Sequence, residues 1–143
     1  MGRLFTNNLN IGYGEQIIVN DLSVSIPDKQ ITTIIGSNGC GKSTLLKAIT
    51  RIINHHSGNV LLDGKDILKE NTKALAKKMA ILPQSPESAS GLTVGELVSY
   101  GRFPYQKGFG RLTKKDLEVI DWALDVTGTY DYKFLTVDAL SGS

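Results

Sequence analysis

Gly36-Ser37-Asn38-Gly39-Cys40-Gly41-Lys42-Ser43 decides how this chain is read. The stretch fills G-x-x-x-x-G-K-[ST] at every position. It stands between a β-branched run, Ile31-Thr32-Thr33-Ile34-Ile35, and a helical run holding Leu45, Leu46, Ala48 and Ile49. Chemistry demands these residue types. Glycines let successive backbone N–H groups turn towards one centre, and they leave no Cβ in the way of an anion. The helix that follows aims its free N-terminal amides and the positive end of its dipole at the same point. Lys42 is expected to bridge the β- and γ-phosphates of a nucleoside triphosphate, and the Ser43 hydroxyl to ligate Mg²⁺. Thr44 can donate one more hydrogen bond, to the α-phosphate. Gly36, Ser37, Asn38, Gly39, Cys40 and Gly41 supply the cradle itself. Cys40 fills a free position of the motif, its thiol either beside the phosphates or turned into the core. A glycine-rich turn that merely caps a helix is the alternative, and it leaves the Lys-Ser pair unexplained.

Outward from the loop, Leu22, Val24 and Ile26 alternate with Ser23 and Ser25, a half-buried strand closed by Pro27-Asp28. Residues 31–35 read as a strand buried on both faces. Gly58 opens a further strand, Val60-Leu61-Leu62, which ends at the hairpin-type turn Asp63-Gly64. A short helix over 72–78 follows, and Met79-Ala80-Ile81-Leu82 reads as a second core strand. Residues 85–91 form a polar loop. Beyond it the pattern is helical: Thr93-Val94-Gly95-Glu96 is a capping box that starts a helix through Tyr100. Thr113-Lys114-Lys115-Asp116 is a weaker start signal, followed by Leu117, Ile120, Leu124 and Thr127 at helical spacing and Gly128 at the C-cap. The expectation is an α/β nucleotide-binding domain of the P-loop type with a mostly parallel core. Residues 1–87 would hold an N-terminal antiparallel β element and the P-loop core, and residues 88–143 a helical subdomain.

Composition sets limits. The 143 residues are 41% hydrophobic, enough to bury one core. Sixteen basic and 14 acidic residues, net +2, are spread along the chain and give no concentrated basic face for nucleic acid. A single cysteine excludes an internal disulfide and suits a reducing compartment. The N-terminal MGRLFTNNLN lacks an apolar core of signal-peptide length, and no stretch approaches the ~20 apolar residues that cross a bilayer. Work at a membrane would therefore go through a partner. His55 and His56 sit in a polar loop without metal-ligand spacing, and Lys69, Lys73 and Lys77 mark a solvated face.

Taken in order, Ile11-Gly12-Tyr13-Gly14, the P-loop, Ser57 to Gly64, Leu82-Pro83-Gln84 and Leu140-Ser141-Gly142-Ser143 resemble an ATP-binding-cassette ATPase over essentially the whole chain. The segments Leu92 to Val98 and Gly101 to Tyr105 more loosely resemble the importers of ferric siderophores, haem and cobalamin. The resemblance implies roles. Tyr13 would stack on adenine, with a plain hairpin tyrosine as the alternative. Gln84 would contact Mg²⁺ and sense the γ-phosphate, with a surface loop glutamine as the alternative. Lys42 and Gln84 would be the catalytic residues present, Ser43 and Gln84 the metal contacts. Ser141 and Gly142 would belong to the signature motif, which clamps the γ-phosphate held by an opposite subunit at a helix start. Ser143 departs from that motif, which has glycine at this position.

The resemblance also implies partners: ATP, a second copy of the ATPase, and transmembrane permease subunits, with the protein peripheral on the cytoplasmic face of the cell membrane. Phe103, Tyr105 and Phe109 would either face such a subunit or simply pack. The family's acidic strand end, catalytic glutamate and switch histidine lie beyond the signature. Residues 1–143 by themselves are accordingly expected not to hydrolyse ATP. Two other readings stay open, an ATP-binding-cassette protein of DNA repair or translation and a P-loop small-molecule kinase.

Overall fold

An extra residue in the first strand organises the N-terminal sheet. The computed structural model describes residues 2–83, 90–108 and 110–141. Strand β1 (Leu4–Tyr13) buries Thr6 before Asn8, and Leu9 and Ile11 after it. Its inward face thus passes from even to odd positions. Asn8 takes φ 45°, the ladder shifts register between Thr6 and Leu9, and the bulge restores the apolar side chains to the core. The Asn8 amide side chain donates to Asp21 Oδ1 at 2.7 Å across the irregularity. Strand β2 (Gln16–Ile26) pairs antiparallel with one edge of β1, and β3 (Ser57–Leu62) with the other. A two-residue strand β4 (Lys65–Asp66) completes the order β2-β1-β3-β4. The β3–β4 turn is Asp63-Gly64 at φ 52° and 78°, both positive as a type I′ turn requires. Arg3 donates to both Asp63 oxygens at 2.7 and 2.9 Å, and this hydrogen bonding holds the Asp63 carboxyl below the usual carboxylate range.

Helix α1 (Lys42–Ile49) lays Leu45, Ala48 and Ile49 against Leu9, Ile11, Val60, Leu62 and Ile67. Each fully buried aliphatic side chain there contributes about 1.5–3 kcal/mol. Helix α2 (Thr72–Ala76) adds Leu75, and its N-cap is Asn71, whose side-chain oxygen accepts from Lys73 N at 2.9 Å and Ala74 N at 3.3 Å. Arg51 ties the end of α1 to this region by donating to the carbonyls of Ile67 and Glu70 and to Thr72 Oγ1.

Two expected strands do not form. Residues 31–35 have no ladder partner, and Ile31 and Ile35 are 99% and 87% exposed. Residues 79–82 are likewise outside any strand: Met79 packs at the edge of the core while Leu82 is exposed. All pairing among the described residues is antiparallel, so the mostly parallel core is not seen there. The reason is physical. A run buried on both faces needs neighbouring strands to take its N–H and C=O groups and helices to cover it. No described strand lies beside either run.

Two compact units divide after Ala80. The expected boundary at residue 87 lies outside the described residues. In the second unit, helices α3 (Val94–Ser99), α4 (Lys114–Val126) and α5 (Val137–Ser141) enclose a small core of Val94, Ile120 and Leu124, with Val98 and Val137 beside it. The helix expected through Tyr100 stops at Ser99 and tightens into a 3₁₀ segment, Tyr100–Tyr105. Helix α4 ends in a Schellman motif: Gly128 N–H donates to Asp125 O at 3.0 Å and Thr129 N–H to Leu124 O at 2.8 Å, with Gly128 at φ 68°. No helix among the described residues is long and apolar enough to cross a membrane.

Candidate nucleotide site

The first turn of α1 has no side-chain cap. Its N-cap is Gly41 at φ 100°, a left-handed conformation, and no acidic residue stands in the first turn. Since the first intrahelical bond is Leu45 N–H to Gly41 O, at 2.9 Å, the amides of Lys42, Ser43 and Thr44 have no helical partner. Gly41 also lies tight against the sheet. A Cβ there would come within 2.9 Å of Ile18 Cγ2 and 3.2 Å of Val19 Cγ2, so positive φ and close approach both require glycine. The loop is folded on itself by a turn from Cys40 N–H to Ser37 O, 3.3 Å, and Gly39 has φ 80° with open space where a Cβ would be. These are the features of a backbone anion cradle.

The Lys42 ammonium folds back over this loop. Its Nζ donates to the Gly36 carbonyl at 2.6 Å and the Ser37 carbonyl at 2.7 Å, with Cys40 Sγ at 3.6 Å. Lys42 is therefore half-buried and held at the mouth of the cradle, where phosphate oxygens would give it stronger, charge-assisted partners. Cys40 is exposed, which excludes the core-facing arrangement of its thiol. Ser43 is exposed on α1, whereas Thr44 is buried. Asn38 lies in the exposed turn of the loop.

Tyr13 ends β1 at the β1–β2 hairpin, paired with Gln16, and is 51% exposed. Ile18, which Gly41 touches, lies two residues beyond Gln16 on the same strand. At the strand rise this separates the hairpin end from the loop's seat by ~7 Å along the sheet. Tyr13 and residues 36–44 thus lie in one unit, with Gly41 against the strand that pairs with the end of β1. Gln84 and Gly142 lie outside the described residues. Ser141 closes α5 instead of standing at a helix start, the position that the signature role implies. The cause is that α5 is launched upstream: Val137 N–H donates to Leu92 O at 2.9 Å, and the Asp138 carboxylate accepts from Gly91 N–H at 3.0 Å.

Among the described residues no group of His, Cys, Asp and Glu could hold a metal ion. Ser43 offers one neutral oxygen. That donor set fits Mg²⁺, which keeps most of its shell as water and phosphate oxygens and needs only one or two protein ligands. His56 is exposed, as its place in a polar loop implies, and its Nε2 lies 3.0 Å from the Gly14 carbonyl oxygen. Sequence held no local signal for this contact. Of the aromatics that follow α3, Phe103 is exposed and Tyr105 lies under the Arg102 guanidinium at 4.0 Å. Phe109 is outside the described residues.

A glycine-capped helix start, an overhanging lysine and an antiparallel sheet beneath them define the nucleotide-binding domain of a P-loop protein. The ABC transporter family model matches residues 19–142, and the chain belongs to that family. It is 58% identical over 142 residues to the iron(3+)-hydroxamate import ATP-binding protein FhuC of Bacillus subtilis, covering 99% of this chain and 53% of the relative. It is 40% identical to the ferric enterobactin transport ATP-binding protein FepC of Escherichia coli, covering 99% of this chain and 52% of that protein. The chain spans about half the length of the curated relatives it matches. Among solved structures, an ATP-binding cassette of an ABC transporter superposes with a TM-score of 0.79 at 27% identity, over 99% of this chain and 60% of the other. The fold is therefore that of an α/β P-loop domain with an N-terminal antiparallel β element and helices, and family membership removes the kinase reading.

Proposed function

We propose that this chain is the nucleotide-binding part of an ATPase subunit that drives import of a ferric siderophore through transmembrane partner subunits. The observation that carries it is the uncapped start of α1 behind residues 36–41, with the Lys42 ammonium over the loop. The free amides of that turn would bind the β-phosphate, Lys42 would move from the Gly36 and Ser37 carbonyls to the β- and γ-phosphates, and Tyr13 would stack on adenine. Bound Mg²⁺ would neutralise charge on the transferred phosphoryl group, with Ser43 as its protein ligand and Gln84 reporting on the γ-phosphate. The siderophore class is supported by the names of the relatives, an iron(3+)-hydroxamate import ATP-binding protein and a ferric enterobactin transport ATP-binding protein. Such a subunit sits on the cytoplasmic face of the membrane, held there by its permease, and transport proceeds without contact between iron chelate and this chain.

The test is purification of the full-length protein from detergent-solubilised membranes. A many-helix membrane subunit should co-purify, and Mg-dependent ATP hydrolysis should change on assembly and vanish in Lys42→Ala. Recovery of soluble nucleic-acid machinery alone would replace transport with a DNA-repair or translation role.

A further inference from the structure

The segment before β3 reaches back to the hairpin end that carries Tyr13. His56 is fixed to β1 at its backbone, its N–H donating to the Asn10 carbonyl at 2.8 Å. The next residue, Ser57, pairs with Asn10, and Asn10 Nδ2 donates to Ser57 Oγ at 2.9 Å. From this anchored position the imidazole Nε2 meets the Gly14 carbonyl oxygen at 3.0 Å. A carbonyl only accepts, so the hydrogen in this contact is on Nε2. Gly14, at φ 58°, is the first residue of the two-residue connection between Tyr13 and Gln16. The end of a two-stranded hairpin is its least constrained part, and here an element distant in sequence holds it.

We infer that His56 is a positioning residue for the nucleotide base: by binding the Gly14 carbonyl it immobilises the hairpin end and pre-orders Tyr13 for stacking. A ring that is 51% exposed on an unbraced turn would lose mobility when a base stacks on it. With the turn already held, less of that cost falls on binding. The inference rests on the stacking role of Tyr13 given above, and it assigns His56 no contact with nucleotide.

Isothermal titration of full-length, nucleotide-free protein with ATP and with inorganic tripolyphosphate separates the base from the phosphates. His56→Ala should weaken ATP binding roughly three- to tenfold, the worth of one hydrogen bond, and leave tripolyphosphate unchanged. His56→Gln, whose side-chain N–H can reach the same carbonyl, should restore most of the loss. Unchanged thermal melting of both variants would show an intact fold. Equal losses for the two ligands, or no loss for ATP, would overturn the inference. Tyr13→Ala is the companion: it too should lower ATP affinity alone. If Tyr13→Ala leaves the ATP-to-tripolyphosphate ratio unchanged, the stacking role falls, and the role of His56 with it. If only His56→Ala leaves that ratio unchanged, stacking stands and the positioning role is rejected.

Discussion

Helices α1 and α4 begin in opposite ways. At α4 the chain completes its own helix end. Thr113 Oγ1 accepts from Asp116 N–H at 3.2 Å, and Asp116 Oδ2 accepts in return from the Thr113 N–H at 2.9 Å, a reciprocal capping box. Arg102 Nε adds a bond of 2.7 Å to Asp116 Oδ1. Helix α3 is closed in the same manner by Thr93 and Glu96, at 3.2 and 2.8 Å. At α1 nothing does this: a left-handed glycine precedes the first turn, no side chain accepts from its amides, and the nearest charge is a lysine. Free amides at a helix start are unfavourable unless water or a ligand takes them. The starts of α3 and α4 satisfy their own amides, whereas the start of α1 leaves its amides for a partner from outside the helix.

The largest effect should come from breaking the open start. Lys42→Ala in the full-length protein should weaken ATP binding by roughly 30-fold or more, as loss of one partner of a charge-assisted pair does, with thermal stability nearly unchanged. Isothermal titration beside a melting curve measures both, and equal ATP affinity would sink the phosphate assignment. Gly41→Ala should act on both quantities. The left-handed φ and the approach to Ile18 and Val19 make it cost about 1–3 kcal/mol of stability, and the displaced loop should bind ATP more weakly. A stable variant with full affinity would show that the cradle tolerates a Cβ.

The closed start should respond in the contrary way. Thr113→Ala should cost about 1 kcal/mol in denaturant unfolding and leave ATP affinity alone. Asp116 sharpens this through pH. The Thr113 backbone hydrogen bond, then the Arg102 side-chain bond, lower its pKa from the usual carboxylate value. A group depressed in the folded state stabilises at pH above its unfolded pKa, and that contribution is lost as pH falls through the lower folded value. Melting curves across the acid range should therefore show a gap between wild type and Asp116→Asn that narrows as pH falls. A gap independent of pH would mean that the carboxylate charge is irrelevant to the cap. The smallest effect is expected at Cys40. Cys40→Ser should change ATP affinity less than about twofold, since the loop acts through backbone amides and the side chain is not required. In the wild type, mass spectrometry should show ATP slowing N-ethylmaleimide labelling of this exposed thiol, and a rate that ATP leaves unaltered would place bound nucleotide elsewhere.

The chemistry of this protein was written in stretches of four to eight residues. The P-loop, both capping boxes, the Asp63-Gly64 turn and the Gly128 cap all form between near neighbours, so the residue types reveal them without any knowledge of the fold. Strand pairing is not of that kind. The parity change at Asn8 breaks the alternation of β1, and only pairing with β2 and β3 shows the bulge. Residues 31–35 carry the pattern of a buried strand, yet a strand exists only where another takes its hydrogen bonds, and none does among the described residues. His56 and Gly14 stand 42 positions apart, and their contact at 3.0 Å follows from β1 pairing with β3. Sequence by itself marked the glycine-rich loop with its lysine and the helices that close themselves, because those features are local. Tertiary structure alone decided which runs become strands and what touches the turn after Tyr13, because those depend on partners distant along the chain.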